Sequence, residues 1–342
     1  MKYSFLNDYS EGAHPKILDA LVNSNMSQQI PYGCDEYSEK AKELIRKRIG
    51  NSNSNVFFVS GGTQANLIIA SAALKSHESV ISVNTGHIIL REAGAIEATG
   101  HKIHSVVKTD GKLTEEDING VLTEHDFGAH VVKPKMVYIS NSTEIGTIYS
   151  KAELEALSSF CKTNDLYLFL DGARLASALT SYENDMTLTD ISKLTDVFTI
   201  GGTKSGALIG EAIVIQNESI NKDFPFHIKQ RGAMLSKGRI LGVQFLELFK
   251  NDLLFGLAKH SNKMAAKLSE AIEINGFKLS SESSTNQLFP ILPNDLIKKL
   301  ESKFDFYKWS KVDEDFTVLR LVTSWATQED KVDEFIKELN NY

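Results

Sequence analysis

The sequence predicts an α/β protein, with a large domain on a mainly parallel sheet and a smaller α+β domain at its C-terminal end. Short apolar runs bounded by turn residues alternate with charged, helically spaced stretches from about residue 35 to about residue 240. No internal repeat or low-complexity tract interrupts them. Beyond about residue 240 the rhythm changes to a long helical stretch, two strand-like runs and a last helix. The division falls between residues 1–247 and 248–342, which suits a chain of 342 residues at roughly 150 residues per domain.

In chain order, EYSEKAKELIRKRIG (36–50) has helical spacing and ends on Gly50. VFFVS (56–60) is a short apolar strand, and GGTQANLIIASAAL (61–74) is a glycine turn running into a helix. SVISVN (79–84), KIHSVV (102–107), KMVYIS (135–140), LYLFLD (166–171) and DVFTI (196–200) read as buried strands. Charged helical stretches such as SKAELEALSSFCKTN (150–164) separate several of them. The run 238–276 reads as one long helix, QLFPILP (287–293) and FTVLRLVTSW (316–325) as strands, and TQEDKVDEFIKELNN (327–341) as the last helix.

Composition narrows the functional classes. The chain is 42% hydrophobic and 24% charged, with a formal net charge of -7 and scattered Lys and Arg, so a nucleic-acid or anionic-membrane surface is not expected. Cys34 and Cys161 form no metal or disulfide spacing, which favours a reducing compartment. No signal-like apolar core opens the chain, and no run approaches a membrane span of roughly 18 residues. A cytoplasmic protein without a metal site is the expectation.

Ligands of such sheets bind beyond the carboxyl ends of the strands. After 56–60 come Gly61, Gly62 and Thr63. Glycines there let backbone amides approach an anion, and the following helix points its positive end at it. A tight turn without a ligand would look the same, and neither a Walker loop nor GxGxxG is present. His87 follows 79–84, and a polar turn containing Glu144 follows 135–140. Asp171 closes an apolar run, with Arg174 three residues on as its plainest partner. Lys204 stands in IGGTKSGALIG (200–210), among small residues in an otherwise apolar setting. Pyridoxal phosphate needs this combination: a lysine for its aldehyde, an acid for its pyridine nitrogen and an anion site for its phosphate. An aromatic ring against the pyridine is a useful addition that His87 can supply.

These residues resemble the L-threonine aldolases of aspartate aminotransferase fold type I, within the β-eliminating lyase group. The resemblance runs from about residue 5 to about residue 330. It rests on LNDYSEG, YGCDEYSEKAKEL, SGGTQANL, the His87 turn, STEIGTIYS, LDGARLASA, GGTKSGALIGEA, KQRGAMLSKGRIL and LRLVTSW. It implies that Lys204 is the Schiff-base lysine and Asp171 the acid on the pyridine nitrogen. Arg174 lies near the cofactor hydroxyl and the substrate carboxylate, and Arg320 is the second carboxylate-binding arginine. Gly61, Gly62 and Thr63 form the phosphate turn, and His87 stacks on the ring. The resemblance further implies a homo-oligomer, a dimer of dimers with sites at the dimer interface, where Tyr32, Lys229 and Arg231 reach a neighbour's site.

Two positions depart from the family pattern. Asn7 stands where a serine usually contacts the substrate, and Glu144 stands where some members carry a second histidine. The hydroxyl base is therefore open among His87, Glu144 and water. The implied reaction is cleavage of L-threonine or L-allo-threonine to glycine and an aldehyde by a carbon–carbon lyase. β-Elimination, transamination and cleavage of a bulkier phenylserine-type substrate share the same residues, and a silent binding protein on the same scaffold is the alternative of another class.

Overall fold

The computed structural model describes residues 2–342. Its centre is a seven-stranded sheet of β1 (Asn55–Val59), β2 (Glu78–Val83), β3 (Ile103–Val106), β4 (Lys133–Ser140), β5 (Tyr167–Asp171), β6 (Val197–Gly201) and β7 (Glu211–Ile215), in the order β1-β7-β6-β5-β4-β2-β3. Only β7 runs antiparallel to the rest. Six of these strands coincide with the apolar runs of the sequence. The seventh, Glu211–Ile215, enters between β1 and β6 without having been expected, because four apolar residues after a glycine loop and a glutamate fit a strand or a buried helical turn equally well.

Both sheet faces are buried, so these strands are buried along their whole length rather than on alternate residues. On one face Ala41 and Ile45 of helix Glu36–Ile49 and Leu154 and Leu157 of helix Lys151–Thr163 pack against Val56, Ile81 and Val137. On the other, Ala65, Ile68 and Ile69 of helix Gly62–Ala73 pack against Val59, Val80 and Met136. Each fully buried aliphatic side chain contributes about 1.5–3 kcal/mol. Helix Glu36–Ile49 begins where Asp35 Oδ1 accepts from Ser38 N–H at 2.8 Å, and ends on Gly50 in the left-handed region.

The run expected as one long helix is two, Arg239–Phe249 and Leu253–Ile274. Asn251 and Asp252 between them take φ of 57° and 54°, a conformation that short polar residues tolerate. The second helix belongs to both parts of the molecule. Leu254 and Ala258 pack in the core of the large sheet, whereas Met264, Leu268 and Ile272 pack with Leu292, Leu319 and Phe335. In that smaller part Gln287–Leu288 and Pro290–Pro293 share one antiparallel register along Phe316–Val322, which also pairs with Tyr307–Lys311. The N-terminal segment joins it too. Tyr3–Ser4 pairs with Phe304–Asp305, and Phe5 is fully buried against Phe304 and Phe335. Among the described residues no helix is long and apolar enough to cross a membrane.

Candidate active site

The carboxyl ends of β5 and β6 converge because glycines let their backbones touch. A Cβ on Gly172 would lie 1.9 Å from the Thr199 carbonyl oxygen, and one on Gly201 would lie 2.2 Å from that of Ala173. Asp171 is thereby held against the loop that carries Lys204. That loop closes on itself, with Gly202 N–H and Thr203 N–H both donating to the Gly210 carbonyl at 3.0 and 3.1 Å.

Asp171 ends β5 and is buried. Its Oδ2 accepts from Tyr138 Oη at 2.6 Å and Asn66 Nδ2 at 3.0 Å, and its Oδ1 accepts from Ala173 N–H at 2.9 Å. Burial would raise this acid, but Tyr138, then His87, Asn66 and Lys204, outweigh burial and hold it below the usual carboxylate range. A buried carboxyl that stays ionised is what a protonated ring nitrogen requires opposite it. Its sequence neighbour Arg174 is not its partner. Arg174 turns to Asp8, donating from Nε to Oδ2 at 2.7 Å and from Nη2 to Oδ1 at 2.9 Å.

Lys204 shares a cavity of about 10 Å³ with Asp8, Arg174 and Asn286, room for about one water. Burial first, and Arg174 second, push its amine below the ordinary lysine range, against the pull of Asp8, Glu211 and Asp171. A lysine amine whose proton is held less tightly is the kind of group that attacks an aldehyde. A cleft of about 470 Å³ elsewhere, lined by Thr180, Tyr182, Asn262 and Glu270 among others, holds none of the residues singled out in the sequence.

Arg320 lies on Phe316–Val322 and reaches the same region from the smaller part. Its Nη2 donates to Gln287 Oε1 at 2.6 Å, its guanidinium sits 5.5 Å from the Trp309 ring, and its buried Nε has no partner. Burial, then the neighbouring Arg174, bring it down to about 10. Two largely enclosed guanidinium groups, one of which disfavours the charge of the other, suit a carboxylate between them.

At the end of β1, Gly61 caps helix Gly62–Ala73 with no side-chain hydrogen bond, and a Cβ on Gly61 or Gly62 would meet nothing within 4 Å. Gly61, Gly62 and Thr63 therefore offer an open cradle at a positive helix end. His87 begins the short helix His87–Leu90. Its N–H donates to Glu144 Oε1 at 2.9 Å, an oxygen that also accepts from Ser140 Oγ at 2.7 Å. Burial pushes Glu144 up, and its Oε2 has no partner. Asn7 Oδ1 accepts from Tyr9 N–H at 2.9 Å and Ser10 Oγ at 3.1 Å, so its carbonyl caps a local turn.

Sequence reading passed over Asp8, Asn66, Glu92, Tyr138, Glu211, Asn286 and Gln287. Two of them carried a usable signal. Tyr138 lies in an apolar strand, where a buried phenol needs a partner. Glu211 opens an apolar strand as Asp171 closes one, and its carboxyl is pushed well above the usual range by burial.

The profile of the beta-eliminating lyase family matches residues 5–294. The low specificity L-threonine aldolase of Pseudomonas aeruginosa is 30% identical over 339 residues, covering 98% of this chain and 96% of that protein. The solved structure of Leishmania major threonine aldolase superposes with a TM-score of 0.98 at 50% identity, covering 99% of each chain. A Thermus thermophilus aspartate aminotransferase superposes with a TM-score of 0.74 at 16% identity, covering 99% of this chain and 91% of that one. The architecture is accordingly the aspartate aminotransferase-like fold type I.

Proposed function

The chain belongs to the beta-eliminating lyase family, and we propose that it is a pyridoxal phosphate-dependent threonine aldolase. It cleaves L-threonine or L-allo-threonine to glycine and acetaldehyde. The observation that carries the reading is Lys204, held in one small cavity with Asp8 and Arg174, beside Asp171 and Arg320 at one end of the sheet.

The residues suit the cofactor. Lys204 would hold its aldehyde, Asp171 its pyridine nitrogen, the Gly61–Thr63 amides its phosphate, and His87 its ring. When bound, it supplies an electron sink for the pair left on Cα as the Cα–Cβ bond breaks. The open cradle at Gly61 and Gly62 and the unpartnered Arg320 Nε are the features that a phosphate and a carboxylate would complete.

The chain's own groups do the rest. Arg174 and Arg320 grip the substrate carboxylate and so choose which Cα bond is presented for cleavage. Asp8 braces Arg174 by two hydrogen bonds, so the grip is preformed. The Asn7 amide nitrogen adds a donor for the same carboxylate. The Lys204 amine, held below the ordinary lysine range by burial and Arg174, would move protons at Cα. The β-hydroxyl proton passes to His87 or Glu144, whose two turns are joined by the His87 N–H to Glu144 Oε1 hydrogen bond.

Leu18, Val22, Met26 and Ile30 leave an exposed apolar stripe near Tyr32, whose ring lies 5.1 Å from Lys229 Nζ. A second copy covers this stripe in the homo-oligomer, bringing Tyr32, Lys229 and Arg231 to the neighbouring site, and light scattering tests it. A cytoplasmic setting suits the two free cysteines, Cys34 and Cys161.

The reaction is tested by incubating purified protein, pyridoxal phosphate and L-threonine or L-allo-threonine, and assaying products. Acetaldehyde and glycine in equal amounts support the reading. 2-Oxobutyrate from threonine, or pyruvate from serine in a parallel incubation, with no acetaldehyde, moves the function to β-elimination.

A further inference from the structure

His87, Glu92, Asn66 and Asp171 form one continuous run of hydrogen bonds. His87 Nδ1 lies 2.7 Å from Glu92 Oε1, and Asn66 Nδ2 donates to that same oxygen at 2.7 Å and to Asp171 Oδ2 at 3.0 Å. Both partners of the Asn66 amide are carboxylate oxygens, so its nitrogen, not its oxygen, must face them. One neutral donor thus holds two buried acids that would otherwise repel each other.

The same logic settles the imidazole. A carboxylate oxygen beside Nδ1 accepts, so Nδ1 carries the hydrogen and the lone pair of the neutral ring is on Nε2. Glu92 has no exposed side-chain surface, whereas His87 keeps 35% of its own. Nδ1 is therefore held against the buried acid, which leaves Nε2 as the ring nitrogen for a substrate. The backbone of His87 is fixed as well, through its N–H to Glu144 Oε1.

We propose that Glu92 is a positioning residue for carbon–carbon cleavage. It locks His87 as the Nδ1–H tautomer, so that His87 Nε2 takes the proton of the substrate β-hydroxyl. This rests on the aldolase reading above. The hydroxyl proton passes to the Nε2 lone pair, the O–H pair becomes the second bond of the aldehyde carbonyl, and the Cα–Cβ pair departs to Cα. The positive charge that develops on the ring is met by Glu92. Glu144 then serves His87 from the backbone side and is not the base.

The test is long-range proton–nitrogen NMR of protein labelled with 15N-histidine and saturated with pyridoxal phosphate, with His87 assigned by a His87→Asn variant. The expected state is Nδ1–H. Glu92→Leu should shift His87 toward Nε2–H and lower kcat for threonine about 100-fold, with KM changed less than about threefold. Glu92→Gln keeps an acceptor oxygen and should keep the tautomer and recover at least a tenth of kcat. An Nε2–H ring in the wild type that still cleaves threonine overturns this proposal alone. So does Glu92→Leu at wild-type kcat, or a Glu92→Gln as impaired as Glu92→Leu. An Nδ1–H ring in a protein that releases no aldehyde overturns the aldolase reading, and the base role with it.

Discussion

Arg174 and Asp8 are joined by two hydrogen bonds in a fork, Nε to Oδ2 and Nη2 to Oδ1, and Asn286 Nδ2 donates to Asp8 Oδ2 at 3.0 Å. Asp8 comes from the N-terminal segment that packs in the smaller part, and Arg174 follows a central strand of the larger one. The pair therefore ties the guanidinium proposed to grip the substrate carboxylate to the joint between the two parts. Breaking a buried pair by removing one partner costs about 3–5 kcal/mol, because the other charge is left unmet. A double-mutant cycle of Asp8→Ala and Arg174→Ala, measured by urea unfolding, should give a coupling of about 3 kcal/mol. A coupling under about 0.5 kcal/mol would show that the fork contributes nothing to stability.

Asp171 is held ionised by Tyr138 and Asn66 in spite of its burial. Asp171→Asn keeps the shape and removes the charge, so kcat should fall by about 10²-fold or more while cofactor binding weakens far less. Equilibrium titration with pyridoxal phosphate alongside steady-state kinetics separates the two effects. A variant with wild-type kcat would remove Asp171 from the chemistry.

Arg320 is oriented by Gln287 and Trp309 and disfavoured by Arg174. Arg320→Ala should raise KM for L-threonine about tenfold or more, and Gln287→Leu should raise it less. The double variant should be no worse than Arg320→Ala, since Gln287 acts through the arginine. An unchanged KM in Arg320→Ala would take the carboxylate elsewhere.

Glu211 carries the pH prediction. Burial raises its carboxyl well above the value of the unfolded chain, and its Oε2 has no partner. Below the unfolded value both states hold the proton and nothing is lost. Above it the unfolded chain releases the proton first, so the fold loses stability as pH rises. Glu211→Gln should therefore melt like the wild type near pH 4 and higher than it at pH 8, by on the order of 2 °C per kcal/mol removed. Thermal melts of the cofactor-free proteins check this, and a difference that shrinks with rising pH contradicts it.

The site was legible where one residue broke its local pattern. Asp171 closes an apolar strand, Lys204 stands among glycines, and Gly61–Thr63 punctuate a strand-to-helix turn. Each is costly or strained unless something meets it, and that cost shows in the sequence. Asp8, Asn66 and Glu92 break no local rule. Asn66 is an ordinary polar residue in the first turns of a helix, and its meaning appears only when Glu92 and Asp171, 26 and 105 residues away, close on its amide. The expected Asp171–Arg174 pairing gave way to Asp8–Arg174 for the same reason, since proximity in sequence is a weak guide to partners across a sheet edge. In the fold, the strands bounded by turns were legible. The antiparallel β7 and the break at Asn251–Asp252 were not, because a short apolar run and a pair of left-handed residues leave no periodic trace.

The central claim is that Lys204 is the residue that takes the cofactor's aldehyde. The most direct measurement is borohydride reduction of the protein loaded with pyridoxal phosphate, followed by peptide mass mapping. A covalent pyridoxyl group on Lys204, absent from a Lys204→Ala variant, is the result this account predicts. Labelling of any other lysine in place of Lys204, or of none, would contradict it.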